Sequence, residues 1–164
     1  MARESVTEFF KPHVPGLGYV ESHEEAEATA LILDEFEKLT GFRDMPRPCG
    51  YMVAVRLWIP SEKVINAEGK DTGLFRPMSN IVEQKYQSPT GLVVAKGPDC
   101  YTGERFAASG PWCRIGDFVM IPRYEAVFCH YRGVAMVLVP DDKILAVVID
   151  PSIVSAVHND TVVN

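Results

Sequence analysis

No apolar run in this sequence approaches the roughly 20 residues that a helix needs to cross a bilayer. The opening "MARESVTEFFKPH" also has neither the basic start nor the apolar stretch of a secretory signal. The expectation is a cytoplasmic protein with no membrane partner. An excess of basic residues is missing too. The net charge is −6, which leaves no electrostatic reason to expect nucleic acid as a partner. Cysteine is sparse and scattered: Cys49, Cys100, Cys113 and Cys129 form no C-x-x-C pair and match no zinc module. No metal is expected, and in a reducing compartment the four read as buried, thiol-bearing apolar residues. Catalytic patterns are equally wanting. There is no G-x-S-x-G, no P-loop, no H-E-x-x-H and no paired-carboxylate motif. "GLGYVE" begins like a dinucleotide fingerprint but lacks the third glycine and any strand–helix setting. The chain reads as a non-enzyme without a cofactor.

What is present is a folded composition, 47% apolar and 10% aromatic, rich enough to bury a core. Twelve glycines and twelve prolines point to short elements with frequent turns. Charge divides the chain. Residues 1–46 hold four basic and ten acidic residues, net −6, while the rest hold twelve of each. Within the acidic part, "SHEEAEATALILDEFEKLTGF" predicts an amphipathic helix at about 22–40. Ser22 and Glu25 form a capping box, and acidic residues crowd the first turn where the helix dipole favours them. Ala28, Ile32, Phe36 and Leu39 share a face widened by Leu33, and Gly41 is placed as the C-terminal cap. The acidic remainder reads as a solvated face.

From residue 47 the reading changes to strands. "YMVAVRLWIP" alternates and is rich in β-formers, whereas "SEKVINAEGKDTG" is polar, aperiodic and reads as a long loop. "TGLVVAKGPDC", "DFVMIPRYEAVFCHYRG", "VAMVLVP" and "KILAVVID" follow at short intervals. Short strands with regular punctuation imply a small antiparallel barrel. The predicted organisation is an acidic extension (1–46), a β-barrel domain (47–150) with a long mobile loop (about 61–80), and a tail (151–164). Two polar pairs deserve a structural explanation first. Cys129–His130 lies on a strand, so one side chain should be buried and the other exposed. Asp141–Asp142 lies in a turn, bonding the local backbone. His13, His23 and His158 converge on nothing.

In "CRIGDFVMIP", Gly116 permits the positive φ of a tight turn and Asp117 can bond the turn's backbone. Asp117 is thus a corner into a strand rather than a catalytic group. The order of pieces around it resembles the GroES-like co-chaperonins. In that family a first strand leads to a mobile loop, then a strand ending in a glycine turn, a roof hairpin, a K-V-G-D-x-V corner and a closing D-I-L-A-V-V strand. Here the corresponding pieces are "YMVAVRLWIP", "GLFRP", "GLVVAKGPD", "CRIGDFVMIP" and "AMVLVPDDKILAVVID", so the likeness spans about residues 48–150.

The resemblance implies a GroES-like barrel that assembles into a ring, usually heptameric, and caps a GroEL-type chaperonin whose ATP cycle controls binding. Gly73, Leu74, Phe75, Arg76 and Pro77 take the place of the chaperonin-binding tripeptide and its flanks. Arg76 departs from the family by replacing the third apolar anchor with a cation. The subunit interface would pair the strand carrying Tyr51, Val53, Val55 and Leu57 with a neighbour's closing strand carrying Ile144, Leu145 and Val147. The N-terminal extension, the tail and the redistributed loop are more typical of viral co-chaperonins, which implies the host cytoplasm and folding of a bacteriophage capsid protein. The alternative is a virion structural protein, the same barrel serving as a capsid cement or decoration subunit bound to the major capsid protein.

Overall fold

The computed structural model describes residues 22–58, 63–65, 71–75 and 90–154, and the backbone alone at 63–65 and 71–75. Among the described residues the α-helix, α1, runs His23–Thr40. Ser22 Oγ accepts the Glu25 N–H at 3.2 Å, and Gly41 ends the helix at φ +80°, donating its N–H to Glu37 O at 2.8 Å. Both ends follow from the predicted caps, which satisfy backbone groups the helix cannot pair itself. The buried face is displaced from the predicted one. Glu25, Thr29, Ile32, Leu33 and Phe36 are buried, while Leu39 is exposed.

Among the described residues eight strands follow: β1 (Met52–Leu57), β2 (Lys63–Ile65), β3 (Asp71–Phe75), β4 (Thr90–Lys96), β5 (Phe118–Met120), β6 (Val127–Tyr131), β7 (Val134–Pro140) and β8 (Ala146–Val148). Six of them form one antiparallel sheet in the order β6-β7-β1-β4-β5-β8, and β2 pairs with β3 separately. The expected mostly-β, antiparallel class with one N-terminal helix is therefore present. The six-stranded sheet has two ends, β6 and β8, with no ladder joining them among the described residues. A Lys143–Glu125 ion pair at 3.4 Å links the segments that enter those two strands.

Four strands, β7, β1, β4 and β5, are interior, and three of these, β1, β4 and β7, are the most deeply buried. Each contains consecutive buried residues, Val53–Val55, Val93–Lys96 and Ala135–Val137, so both faces are covered. The core joins these residues to Ile32, Leu33 and Phe36 of α1 and to Cys100, Tyr101, Phe106, Cys113 and Ile115 of the excursion between β4 and β5. One register shift falls opposite Ala54/Val55, leaving Val94 as an extra residue on β4. Such a bulge sharpens the local twist.

The Gly116–Asp117 corner is as the sequence requires. Gly116 adopts φ +99°, Asp117 Oδ2 accepts the Arg114 N–H at 2.8 Å, and the Gly116 N–H donates to Val93 O at 2.9 Å. A side chain at Gly116 would also meet Ala28 of α1, since an added Cβ comes within 3.1 Å of Ala28 Cβ. The turn thus serves helix docking as well as strand entry. Gly97 is required for another reason. An added Cβ there would lie 2.1 Å from Gly50 O, where the chain entering β1 crosses the end of β4.

Three side-chain expectations are corrected. Cys129 and His130 are both exposed, on the edge strand β6. Of the cysteines, Cys100 and Cys113 are buried but Cys49 and Cys129 are exposed. Asp141 does not bond its own turn. It is buried and accepts the N–H of the distant Tyr101 at 2.8 Å, holding that residue at φ +59°. Asp142 instead pairs with Arg105 at 2.7 Å.

Candidate functional site

The predicted chaperonin-binding residues fall in the excursion between β1 and β4. Its base is closed by the Trp58 N–H donating to Thr90 O at 3.1 Å. Within it the backbone forms the β2–β3 hairpin, with Lys63 opposite Phe75 and Ile65 opposite Asp71. The aperiodic loop is therefore partly paired. Gly73, Leu74 and Phe75 lie on β3, while Arg76 and Pro77 lie outside the described residues. The short runs "KVI" and "DTGLF" about a glycine-containing turn were the available signal for the hairpin, too brief to show alternation.

The predicted interface residues divide between two environments. Val53, Val55 and Leu57 are buried in the chain's own core, and β1 pairs with β4 on one side and β7 on the other. The expected pairing of β1 with a neighbouring copy is therefore corrected, since its backbone has no free edge. Its apolar character comes from a central position in the sheet. Tyr51, just before β1, is exposed.

The other half of the predicted interface stands differently. Ile144 is buried, but Leu145 is 62%, Val147 50% and Ile149 97% exposed. These three alternate along and just beyond β8, which pairs only with β5 among the described residues. β8 is thus an edge strand with an outward apolar row, an arrangement that protein surfaces normally cover or blunt. Beside it runs a groove of about 330 Å³ between Ile144–Val147 and the segment carrying Ser109, Pro111 and Trp112. The Trp112 indole N–H donates to Ser109 Oγ at 3.2 Å, and the ring packs edge-on against Phe106 with centroids 5.1 Å apart. Arg105 lies 5.7 Å above the same ring while its guanidinium holds Asp142. The sequence reading missed Trp112. Its only local sign is an aromatic in a Pro/Gly-rich stretch, "ASGPW".

A second missed group is internal. Lys96 Nζ meets Glu25 Oε1 at 2.8 Å, with the two side chains only 1% and 2% exposed. The same carboxylate oxygen accepts the Ile115 N–H at 3.0 Å. Lys96 also lies 6.0 Å from the Tyr101 ring, whose hydroxyl is 3.1 Å from Cys113 Sγ. Burial pushes the Cys113 thiol up to about 11 and the Cys100 thiol up to about 12. The Tyr101 hydroxyl is driven upward as well, first by burial and then by Cys113. Through the Glu25 contacts this cluster joins helix to sheet. Among the described residues, no three His, Cys, Asp or Glu side chains stand together as metal ligands would. No helix there is long and apolar enough to cross a membrane.

The acidic face of α1 is also less open than its composition suggests. Asp34 and Glu37 engage Arg43, Glu35 meets Arg56 at 3.1 Å, and Glu24 lies 3.5 Å from Arg114. Most of the helix's exposed carboxylates are thus spent on the chain's own cations. Comparison with family models and with curated proteins finds no match to this chain.

Proposed function

We propose that the protein is a co-chaperonin: a GroES-like β-barrel that assembles into a ring and caps a GroEL-type chaperonin. The observation that carries this reading is the placement of the "GLFRP" excursion. It leaves the body between two interior, mutually paired strands, β1 and β4, so its ends are anchored in the most buried part of the sheet. A paired hairpin carried on a base built into the sheet suits a lid that must transmit binding at its tip to the whole ring. The Gly116–Asp117 corner and the closing β8 strand follow in the order the family likeness requires.

In this reading the six-stranded sheet is the wall of a barrel whose two ends are held near each other by Lys143–Glu125. Leu74 and Phe75 are the apolar anchors that enter a groove on the chaperonin, and Arg76 lies along its rim. β8, with its exposed apolar row, faces the neighbouring copy. No covalent step is involved, and no cofactor other than the chaperonin's own nucleotide.

The test is native mass measurement of the protein alone, then with a GroEL-type chaperonin and ATP. A ring that joins the chaperonin only with nucleotide supports the reading. An oligomer that ignores the chaperonin but is found in purified virions would replace it with the capsid-cement alternative.

A further inference from the structure

The short strand β8 is fastened at its two ends more firmly than along its length. Before it, the 3₁₀ turn Asp141–Lys143 commits three consecutive residues to other parts of the chain. Asp141, only 5% exposed, donates its N–H to Tyr51 O at 2.9 Å and accepts the Tyr101 N–H at 2.8 Å. Asp142 holds Arg105 at 2.7 Å, Lys143 meets Glu125 at 3.4 Å, and Ile144 is buried. Beyond β8, Pro151 is buried, and Asp150 closes that turn by accepting the Ser152 N–H at 2.8 Å.

Between these anchors nothing comparable fixes the chain. Residues 145–147 and 149 are exposed and Val148 is half-buried. β8 pairs with β5 over three residues, and the Leu145 N–H adds a bond to Met120 O at 3.0 Å. No strand lies on its other side among the described residues. β1, by contrast, is paired on both sides, with Val53, Ala54 and Val55 fully buried. Segments with few buried contacts and solvent-facing backbone bonds open at a lower free energy than the whole fold.

We infer that β8 is a strap: residues 145–149 lift from β5 as a unit while 141–144 and Pro151 stay seated. The buried Asp141 contacts hold the near end, whereas the exposed Asp142 and Lys143 pairs add little. Because both ends stay fixed, the strap can reseat only in its own register. While open it bares the outer edge of β5, a row of unpaired main-chain groups that sheets normally keep covered. The chain thus carries an edge it can show or hide. This device belongs to the single chain and does not depend on the function proposed above.

Amide hydrogen exchange of the full chain in subdenaturing urea tests this, because only global opening exposes enough surface to depend strongly on urea. The Leu145 N–H should exchange by a route insensitive to urea. The Asp141 N–H and the amides of Val53, Ala54 and Val55 should instead exchange faster as urea rises. Met120 and Ala146 are opposed in the β5–β8 ladder, and such pairs have Cα atoms about 4.5–5.5 Å apart, within the span of a disulfide. Met120→Cys with Ala146→Cys, oxidised, should therefore form a link at monomer mass. That link should abolish the urea-insensitive route at Leu145, and a reductant should restore it. Leu145 exchange with the same urea dependence as Val53 in the reduced protein would overturn the strap. An Asp141 amide that exchanges as Leu145 does would also overturn it, since the near end would then not be an anchor. So would an oxidised pair that leaves Leu145 exchange as fast as before.

Discussion

Lys96 is the residue the structure makes most vulnerable. It sits at the end of an interior strand with its ammonium group against Glu25, and neither side chain reaches water. Replacing one member strands the other charge in a medium that solvates it poorly, whereas replacing both with apolar groups can be nearly neutral. Lys96→Met should therefore lower unfolding free energy by about 3–5 kcal/mol in urea titration. The double change Glu25→Leu with Lys96→Met should recover much of that loss. A double variant no better than the sum of the two singles would remove the pair as the cause.

Asp44 acts at the surface by a different mechanism. It accepts two hydrogen bonds from Arg132, both at 2.6 Å, and one from the Tyr131 hydroxyl at 3.1 Å. The Arg132 guanidinium leads the Tyr131 hydroxyl in holding this carboxyl below its ordinary value of 3.8. A depressed folded value means the contribution is complete above the unfolded value and disappears as pH falls through the folded one. Asp44→Asn should thus be less stable than the wild type at neutral pH, by an amount that solvent screening keeps small. The two proteins should converge in acid, below 3.8. Urea midpoints that stay equally separated at both pH values would count against this account.

At the scale of elements, α1 decides whether the N-terminal extension is an arm or part of the body. An isolated helix of this length is marginal in water, so its order depends on the contacts it makes. Phe36 is buried in the common core, 6.1 Å from the Tyr131 ring, and Glu25 crosses to β4 and Ile115. Phe36→Ala should destabilise the protein by about 3–5 kcal/mol, the range for a buried aromatic truncated to a cavity. Deleting residues 1–46 should leave a sheet that aggregates or fails to melt cooperatively in a calorimeter. A truncated protein that is equally heat-stable would make α1 a separate docking arm.

Helix boundaries could be read from the chain because they depend on neighbours three or four residues away. Ser22, the first-turn glutamates and Gly41 act through local hydrogen bonds and backbone conformation. The same local logic placed the Gly116–Asp117 corner. The helix face was read one step out of place, since Thr29 and Glu25 look polar and Leu39 looks apolar. Nothing near Glu25 in the sequence announces Lys96. For the same reason Asp141 was assigned to its own turn instead of to Tyr101.

For the whole molecule, the functional prediction concerns the excursion between β1 and β4. Its base is built into the core, so a change at Leu74 should alter what the tip binds without altering how copies assemble. Leu74→Ser should abolish chaperonin binding in a native gel with ATP while leaving the oligomer mass unchanged, and Arg76→Leu should tighten that binding. If Leu74→Ser binds as well as the wild type, the excursion is not the chaperonin contact.

The sequence alone determined the antiparallel β class, one capped helix and the corner at Asp117, because periodicity, caps and turn residues act over a few positions. The family likeness names Leu145 and Val147 as candidates for contact, and the structure leaves both exposed. Which strands lie inside the sheet was decided only in three dimensions. Val53, Val55 and Leu57 look like an edge row in the chain but occupy the centre, between β4 and β7. Strand neighbours are chosen by contacts between residues far apart in sequence, so an interior strand and a free edge can carry the same apolar alternation. The buried Glu25–Lys96 pair has the same origin. Its two charges are favourable only once the fold has brought them within 2.8 Å and excluded water from both.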